Sequence, residues 1–400
     1  MMQDTSRERK VLLASVWCSC LLFLCGATIA DPDLWGHTLY GLRSIDHGVL
    51  TERNDPFSYT APGAVWINHE WLTEYQLGLL WRGAGNVGLT GWRNAWALIL
   101  LGAAAVALRR AAAGVAAATL LLILNTECLS NFVVFVRPQM ATFALFAVFL
   151  CILRGHWDRP QSRSIWFLPP LMAIWVNQHG GFLAGCGLMV LFVGAAAASC
   201  WFDPAARSRL RPLLIVGALV GLATLLNPYG TGLHRMLWHH LVTEQFVREW
   251  QPLWNTRQSI VYYVPFLLTG LAVAGRRRMA AVDVIILAVT GWQAAMHLRH
   301  VALFSIAALI LLPGPMSEAL EGLFPRLTGA WDRPERRWLR VASVAAAIAF
   351  LAVLELRAAR ELWRYGVAPW DVAVETQSYV PGMPLGAVAA LQERGVSGNI

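Results

Sequence analysis

Residues 11–37 read VLLASVWCSCLLFLCGATIA and then DPDLWGH. The first part, 11–30, carries no charge, and Arg7, Arg9 and Lys10 stand immediately before it. A run of about 20 apolar residues is long enough to cross a bilayer as a helix. A secretory signal peptide has the same basic flank but a shorter apolar region and a small-residue cleavage site. Ala27-Thr28-Ile29-Ala30 imitates that site poorly. The segment reads as an uncleaved first span with a cytoplasmic N-terminus, so DPDLWGH emerges on the far side.

The rest of the chain repeats the pattern. Apolar runs lie near 90–108, 111–128, 138–154, 164–178, 182–201, 212–226, 260–275, 279–296, 300–313 and 339–356. Hydrophobic residues make up 57% and charged residues 14% of the chain, with a mean hydropathy of +0.50. Soluble domains carry about 25% charged residues. The expectation is an all-α integral membrane protein of about eleven transmembrane helices, several of them short and therefore tilted, broken or extended into their flanks. The seven cysteines lie in or beside apolar runs without CxxC spacing, which suits small buried side chains better than a disulfide or metal framework.

Arginine supplies the orientation. Alternating from a cytoplasmic N-terminus puts 19 basic and 9 acidic residues inside, against 13 and 15 outside. The inner set includes Arg109-Arg110, Arg154 to Arg163, Arg207 to Arg211, Arg276-Arg277-Arg278 and Arg326 to Arg340. This asymmetry is the positive-inside pattern. The net charge of +8 thus belongs to membrane topology, and no nucleic-acid partner is expected. The reading places the chain in the inner (plasma) membrane, with an extracytoplasmic C-terminus.

On this topology residues 1–356 form the membrane domain. Its first outer segment, 31–90, is too long for a simple connector, and loops of that length carry structure or function. Within it, 69–82 (HEWLTEYQLGLLWR) has amphipathic helical spacing, predicting an interfacial helix anchored by Trp71 and Trp81. After the last span, 357–400 becomes more polar, and its ending at Gly398-Asn399-Ile400 suggests a truncated extracytoplasmic region.

Nine of the ten histidines fall outside. Mixed acid, base and amide residues gather at each outer turn: Asp31, Asp33 and His37; His69 and Glu70; Arg137 and Gln139; Asn177 and His179; Asn227 and Tyr229; His297, Arg299 and His300. Such residues are costly in lipid and mark function, and their one-sidedness predicts a shared pocket. Asp31 and Asp33 are the strongest local feature. Two carboxylates at this spacing could share a divalent cation, magnesium or manganese, or one could act as a base while the other positions it. An N-cap explains one aspartate only.

The ordered series extends this. DPDLWGH, Asp55-Pro56-Phe57-Ser58-Tyr59-Thr60, His69-Glu70-Trp71-Leu72, Arg137-Pro138-Gln139, Asn177-Gln178-His179-Gly180-Gly181, Asn227-Pro228-Tyr229-Gly230, Glu249-Trp250-Gln251-Pro252 and Arg299-His300 together resemble bacterial members of the GT-C superfamily of membrane glycosyltransferases. Gly36 departs from the tryptophan that several relatives carry there. The resemblance implies a polyprenyl-phosphate-linked sugar donor, a glycan, lipid or protein acceptor, and an acidic base in the first outer loop, hence Asp33 or Asp31. Asp33 is favoured, because His37 four residues on would share its helical face. Arg137, Arg299 and His300 would meet the donor phosphate. His37, His69, Glu70, Gln139, Asn177, His179, Asn227, Tyr229 and His297 are the expected substrate contacts.

Two other readings compete. His69-Glu70 followed by Glu74 resembles the HExxH zinc helix but lacks the second histidine. A transporter or flippase would place its polar groups near the bilayer midplane and often at internal repeats, whereas here they lie at one face and no repeat is seen.

Overall fold

The computed structural model describes residues 2–203, 206–243, 247–255, 260–275, 279–325, 337–364 and 393–395. The Arg276-Arg277-Arg278 cluster and most of the polar tail lie outside them. The described chain is helical throughout, without strands. In order, the helices are α1 (Met2–Gly26), α2 (Leu34–Asp46), α3 (Trp71–Arg110), α4 (Val115–Val133), α5 (Gln139–Asp158), α6 (Leu168–Gln178), α7 (Phe182–Phe202), α8 (Arg207–Ala223), α9 (Thr231–Val242), α10 (Val264–Ala274), α11 (Ala281–Met296), α12 (Val301–Leu311), α13 (Pro313–Leu323) and α14 (Arg337–Arg364). Prolines open α6, α10 and α13, where the missing N–H has no helical partner to lose.

Each apolar run of the sequence falls on a helix, but the helices differ in length. Among the described residues six are long and apolar enough to cross a membrane, or seven if the Leu298–Leu311 and Pro313–Leu323 pair, bent by 70°, counts as one broken span. The expected eleven exceeds this number because α6, α8, α10, α11 and α12 have at most 17 residues. Val190, Leu222, Leu267, Val273 and Trp292 point outward and exposed. Large apolar surfaces of this kind are foreign to a water-facing monomer.

α5 forms the centre, with 78% of its apolar window buried, against 17% for α14 at the rim. Arg93 is fully buried on α3 and donates to Leu24 O (2.6 Å) and Val133 O (3.1 Å). A cation at helix C-termini satisfies carbonyls that have no helical partner, so one guanidinium ties the ends of α1 and α4 together. Just beyond, Ile29 pairs with Val134 and Val136 through backbone hydrogen bonds of 2.9 and 3.3 Å. These bonds lay DPDLWGH beside Arg137.

α3 is two limbs. Gly85 breaks it at φ 55°, a conformation glycine adopts without strain. The indole of Trp92 donates to Gln76 Oε1 at 2.8 Å, a contact impossible along one straight helix, so the chain doubles back there. The first limb packs on α2 through bare backbone. A Cβ on Gly41 would lie 1.8 Å from Glu74 O, and one on Gly78 would lie 2.6 Å from Leu42 N. The amphipathic 69–82 segment is therefore a packed helix. Trp71 is tied to Asn177 at 2.7 Å and Trp81 rests edge-on against Trp35, so neither is free to serve as the lipid anchor expected of it.

Candidate functional site

A cavity of about 550 Å³ opens among the turns that carry His69, Arg137, His179 and Arg299. Phe132, Phe135, Phe143, Tyr262, Leu241 and Leu303 supply apolar lining, with Phe132 in ring contact with Phe143 and Tyr262, and His69, Arg137, Gln139, His179, Glu249, Arg299 and His300 supply polar lining. Its lining comes from segments more than 200 residues apart in sequence, joined by backbone contacts: Leu298 N donates to Gln251 O at 3.1 Å. His297 Nδ1 meets Trp250 O at 2.8 Å. Glu249 and Trp250 are thereby set beside Arg299 and His300.

Three arginines line the pocket, Arg137, Arg248 and Arg299, and Arg137 and Arg299 differ in their partners. Arg137 engages Asp31 through Nε and Nη2, and its Nη1 donates to Glu249 Oε1 at 2.7 Å. Its guanidinium is shared between two carboxylates, so the expected role of Arg137 as a primary phosphate contact is revised: it positions Asp31 and Glu249. Arg299 lies over the Trp250 ring, 4.7 Å from its centroid. Among the described residues no carboxylate oxygen comes within ion-pair distance of Arg299. Trp250 thus holds Arg299 at the cavity with no carboxylate in ion-pair reach, and the exposed Arg248 adds a further cation to the lining. His300 Nδ1 and Gln139 Oε1 are buried without a hydrogen-bond partner among the described residues. Orphaned polar atoms lining a cavity call for a ligand.

The two aspartates also separate. Asp31 is 1% exposed. Its Oδ1 accepts from Asp33 N at 2.9 Å and its Oδ2 is held by Arg137. With both oxygens engaged, Asp31 does not suit the shared cation site expected of the Asp31–Asp33 pair. Asp33 caps α2 by position, makes no side-chain cap hydrogen bond and is exposed. Partial burial and the Asp31 charge raise its pKa, while His37 and Arg137 pull the other way. Neither aspartate lines the cavity directly.

Behind His69 and His179 lies Glu70, its Oε1 3.4 Å from His179 Nε2 and 3.5 Å from His69 Nε2. His179 Nδ1 accepts the Gly181 N–H at 2.9 Å and faces Thr142 Oγ1 at 2.9 Å. A backbone N–H can only donate, so the neutral ring carries its proton on Nε2, directed at Glu70. Burial holds the His179 pKa down to about 3 despite Glu70. Glu70 itself sits below the usual carboxylate range: burial raises it, but His69, His179, His37 and Arg299 together outweigh that.

Several expected substrate contacts are instead structural. Asn177 accepts from Trp71 and donates to Ala173 O and Leu226 O. Asn227 builds its own turn through Tyr229 N, Thr224 O and Gly230 O. The Tyr229 hydroxyl accepts from Asn68 N at 3.1 Å and its ring underlies Arg53. His297 is held by Trp250 O, and none of these four lines the cavity. Conversely Glu249, Trp250 and Glu74 were not singled out as site residues, although the Glu249-Trp250-Gln251-Pro252 stretch was one of the pieces carrying the resemblance. No protein-family model matches this chain, and no curated protein matches it significantly.

Proposed function

We propose that the protein is a GT-C-type membrane glycosyltransferase that moves a sugar from a polyprenyl-phosphate-linked donor to an acceptor hydroxyl on the extracytoplasmic face. The observation carrying this reading is the mixed lining of one cavity: aromatic and aliphatic side chains suited to an isoprenoid chain share it with Arg299 and His300, and Asp33 lies within the field of Arg137. A lipid-linked phosphate likewise joins an apolar tail to an anionic head. The proposal includes eleven spans in the inner membrane, with the N-terminus cytoplasmic and the C-terminus extracytoplasmic. The short helices α6, α8, α10, α11 and α12 then extend through their flanking turns.

In this reading Asp33 takes the proton of the acceptor hydroxyl as that oxygen attacks the anomeric carbon. The bond from the anomeric carbon to the phosphate oxygen breaks with inversion, and the polyprenyl phosphate leaves carrying the bonding electron pair. Arg299 meets the charge that develops on it, and His300, whose Nδ1 has no partner among the described residues, offers a ring nitrogen for a hydrogen bond. Gln139 and His69 are placed to meet sugar hydroxyls. A raised Asp33 pKa favours proton uptake, and Asp31, locked by Arg137, fixes the turn that presents it.

The test is incubation of the purified protein with a panel of polyprenyl-phosphate sugars, scoring release of polyprenyl phosphate with an acceptor present. Release from one donor that requires Asp33 supports the reading. Binding or translocation of donors without any release assigns the cavity to a carrier instead.

A further inference from the structure

His37, Glu70 and Glu74 each bring a ligand atom into one group whose members lie within 4.8 Å of one another. His37 Nδ1 is 2.9 Å from Glu74 Oε1 and 3.8 Å from Glu70 Oε2. Glu70 and Glu74 are four residues apart at the start of α3 and so share a face. His37 comes from α2, and the backbone contact at Gly41 and Gly78 fixes the distance between the two helices.

The outer oxygens of both glutamates are already held. The Asn68 side-chain amide donates to Glu74 Oε2, which leaves Oε1 toward His37. The His179 Nε2–H faces Glu70 Oε1, which leaves Oε2 toward His37. Hydrogen bonds that turn the free lone pairs of separate ligands onto one centre are the outer shell that metal sites carry. The sequence lacked the second histidine of a zinc helix because the imidazole comes from the helix before it.

The geometry points to a divalent-cation site formed by His37, Glu70 and Glu74, distinct from the donor cavity and from Asp31–Asp33. One imidazole with two carboxylates suits Mn²⁺ or Zn²⁺ better than an all-oxygen ion such as Ca²⁺. Three protein ligands leave positions for water or a substrate oxygen. The ion would also neutralise two carboxylates that are nearly buried, with side-chain exposures of 12% and 5%.

The competing arrangement is a metal-free triad in which a protonated His37 bridges the two glutamates. Full-length protein in detergent, stripped with EDTA, separates the two. Mn²⁺ titration is followed by the electron paramagnetic resonance signal of the free ion, and Zn²⁺ titration by competition with a chromophoric chelator. One ion per chain is expected. Its affinity should fall at least ~100-fold in His37→Ala and Glu74→Gln, a loss at or beyond that of an outer-shell partner. Asp31→Asn should bind as the parent does. Glu74→His retains a ligand atom and should shift preference toward Zn²⁺, which keeps the test decisive if Glu74→Gln fails to fold. Absence of binding at millimolar metal, or binding unchanged in folded His37→Ala and Glu74→Gln, overturns the site. No donor is present, so either result leaves the glycosyltransferase reading to its own assay.

Discussion

Arg137 joins Asp31 to Glu249, two carboxylates 218 positions apart in the chain, through opposite sides of one guanidinium. That link separates the roles of residues that look equivalent in sequence. Asp31 is committed to Arg137, and Asp33 is not.

The two aspartates should therefore fail differently. Asp33→Asn should lower sugar transfer by at least ~100-fold with donor affinity and thermal stability retained. Asp31→Asn should lower transfer less and cost about 1.5–3 kcal/mol of stability, the range for a hydrogen bond to a charged group. Transfer rates and melting curves on both variants decide it, and the reverse ranking would exchange their roles.

The arginines should divide in the same way. Arg299→Ala removes a cavity cation that has no carboxylate partner and should weaken binding of a polyprenyl-phosphate sugar by about 1.5–3 kcal/mol. Arg137→Ala should reduce stability more than affinity, because it leaves Asp31 buried without its partner. Equal affinity losses in the two variants would return Arg137 to the phosphate.

Helix crossing at bare backbone makes a sharp structural prediction. Gly41→Ala and Gly78→Ala should each cost at least ~1–3 kcal/mol, the usual penalty of overpacking, since both would place a methyl inside van der Waals contact of backbone. Gly36→Ala has nothing within 4 Å and should melt as the parent does. Differential scanning fluorimetry in detergent reads all three.

The topology is open to a direct check. Cysteines placed at Asn54 and Gly395, in a background with the exposed Cys18 replaced by serine, should both react with an impermeant reagent added to intact cells. Reaction at one alone would break the eleven-span arrangement.

The helical runs were legible because apolar side chains over that length leave the chain few other ways to satisfy its backbone in lipid. Span length was not legible. The bend at Leu312-Pro313 between α12 and α13 and the 3-10 turn Ile260–Tyr263 before α10 shorten helices without a charged residue to mark them. The break at Gly85 falls between the helix expected over 69–82 and the run beginning near 90, but the pattern did not show that the two limbs double back on one another. At the site, sequence grouped the right turns but ranked side chains poorly. Asn177 and Asn227 resembled sugar contacts, yet amides at helix ends are routinely taken by nearby carbonyls. Glu249 was missed because its partner Arg137 is distant in sequence. Glu74 was discounted because a second histidine was sought on its own helix, when His37 stands on the previous one.

The Gly41–Gly78 contact has a consequence for anyone seeking an inhibitor. Side chains can repack, but two touching backbones cannot slide past one another, so Asp33, His37, Glu70 and Glu74 ride on one solid piece. None of these four lines the cavity, so rearrangement of its wall need not disturb them. A compound matched to the spacings of that acidic face therefore meets a target that does not depend on the state of the cavity.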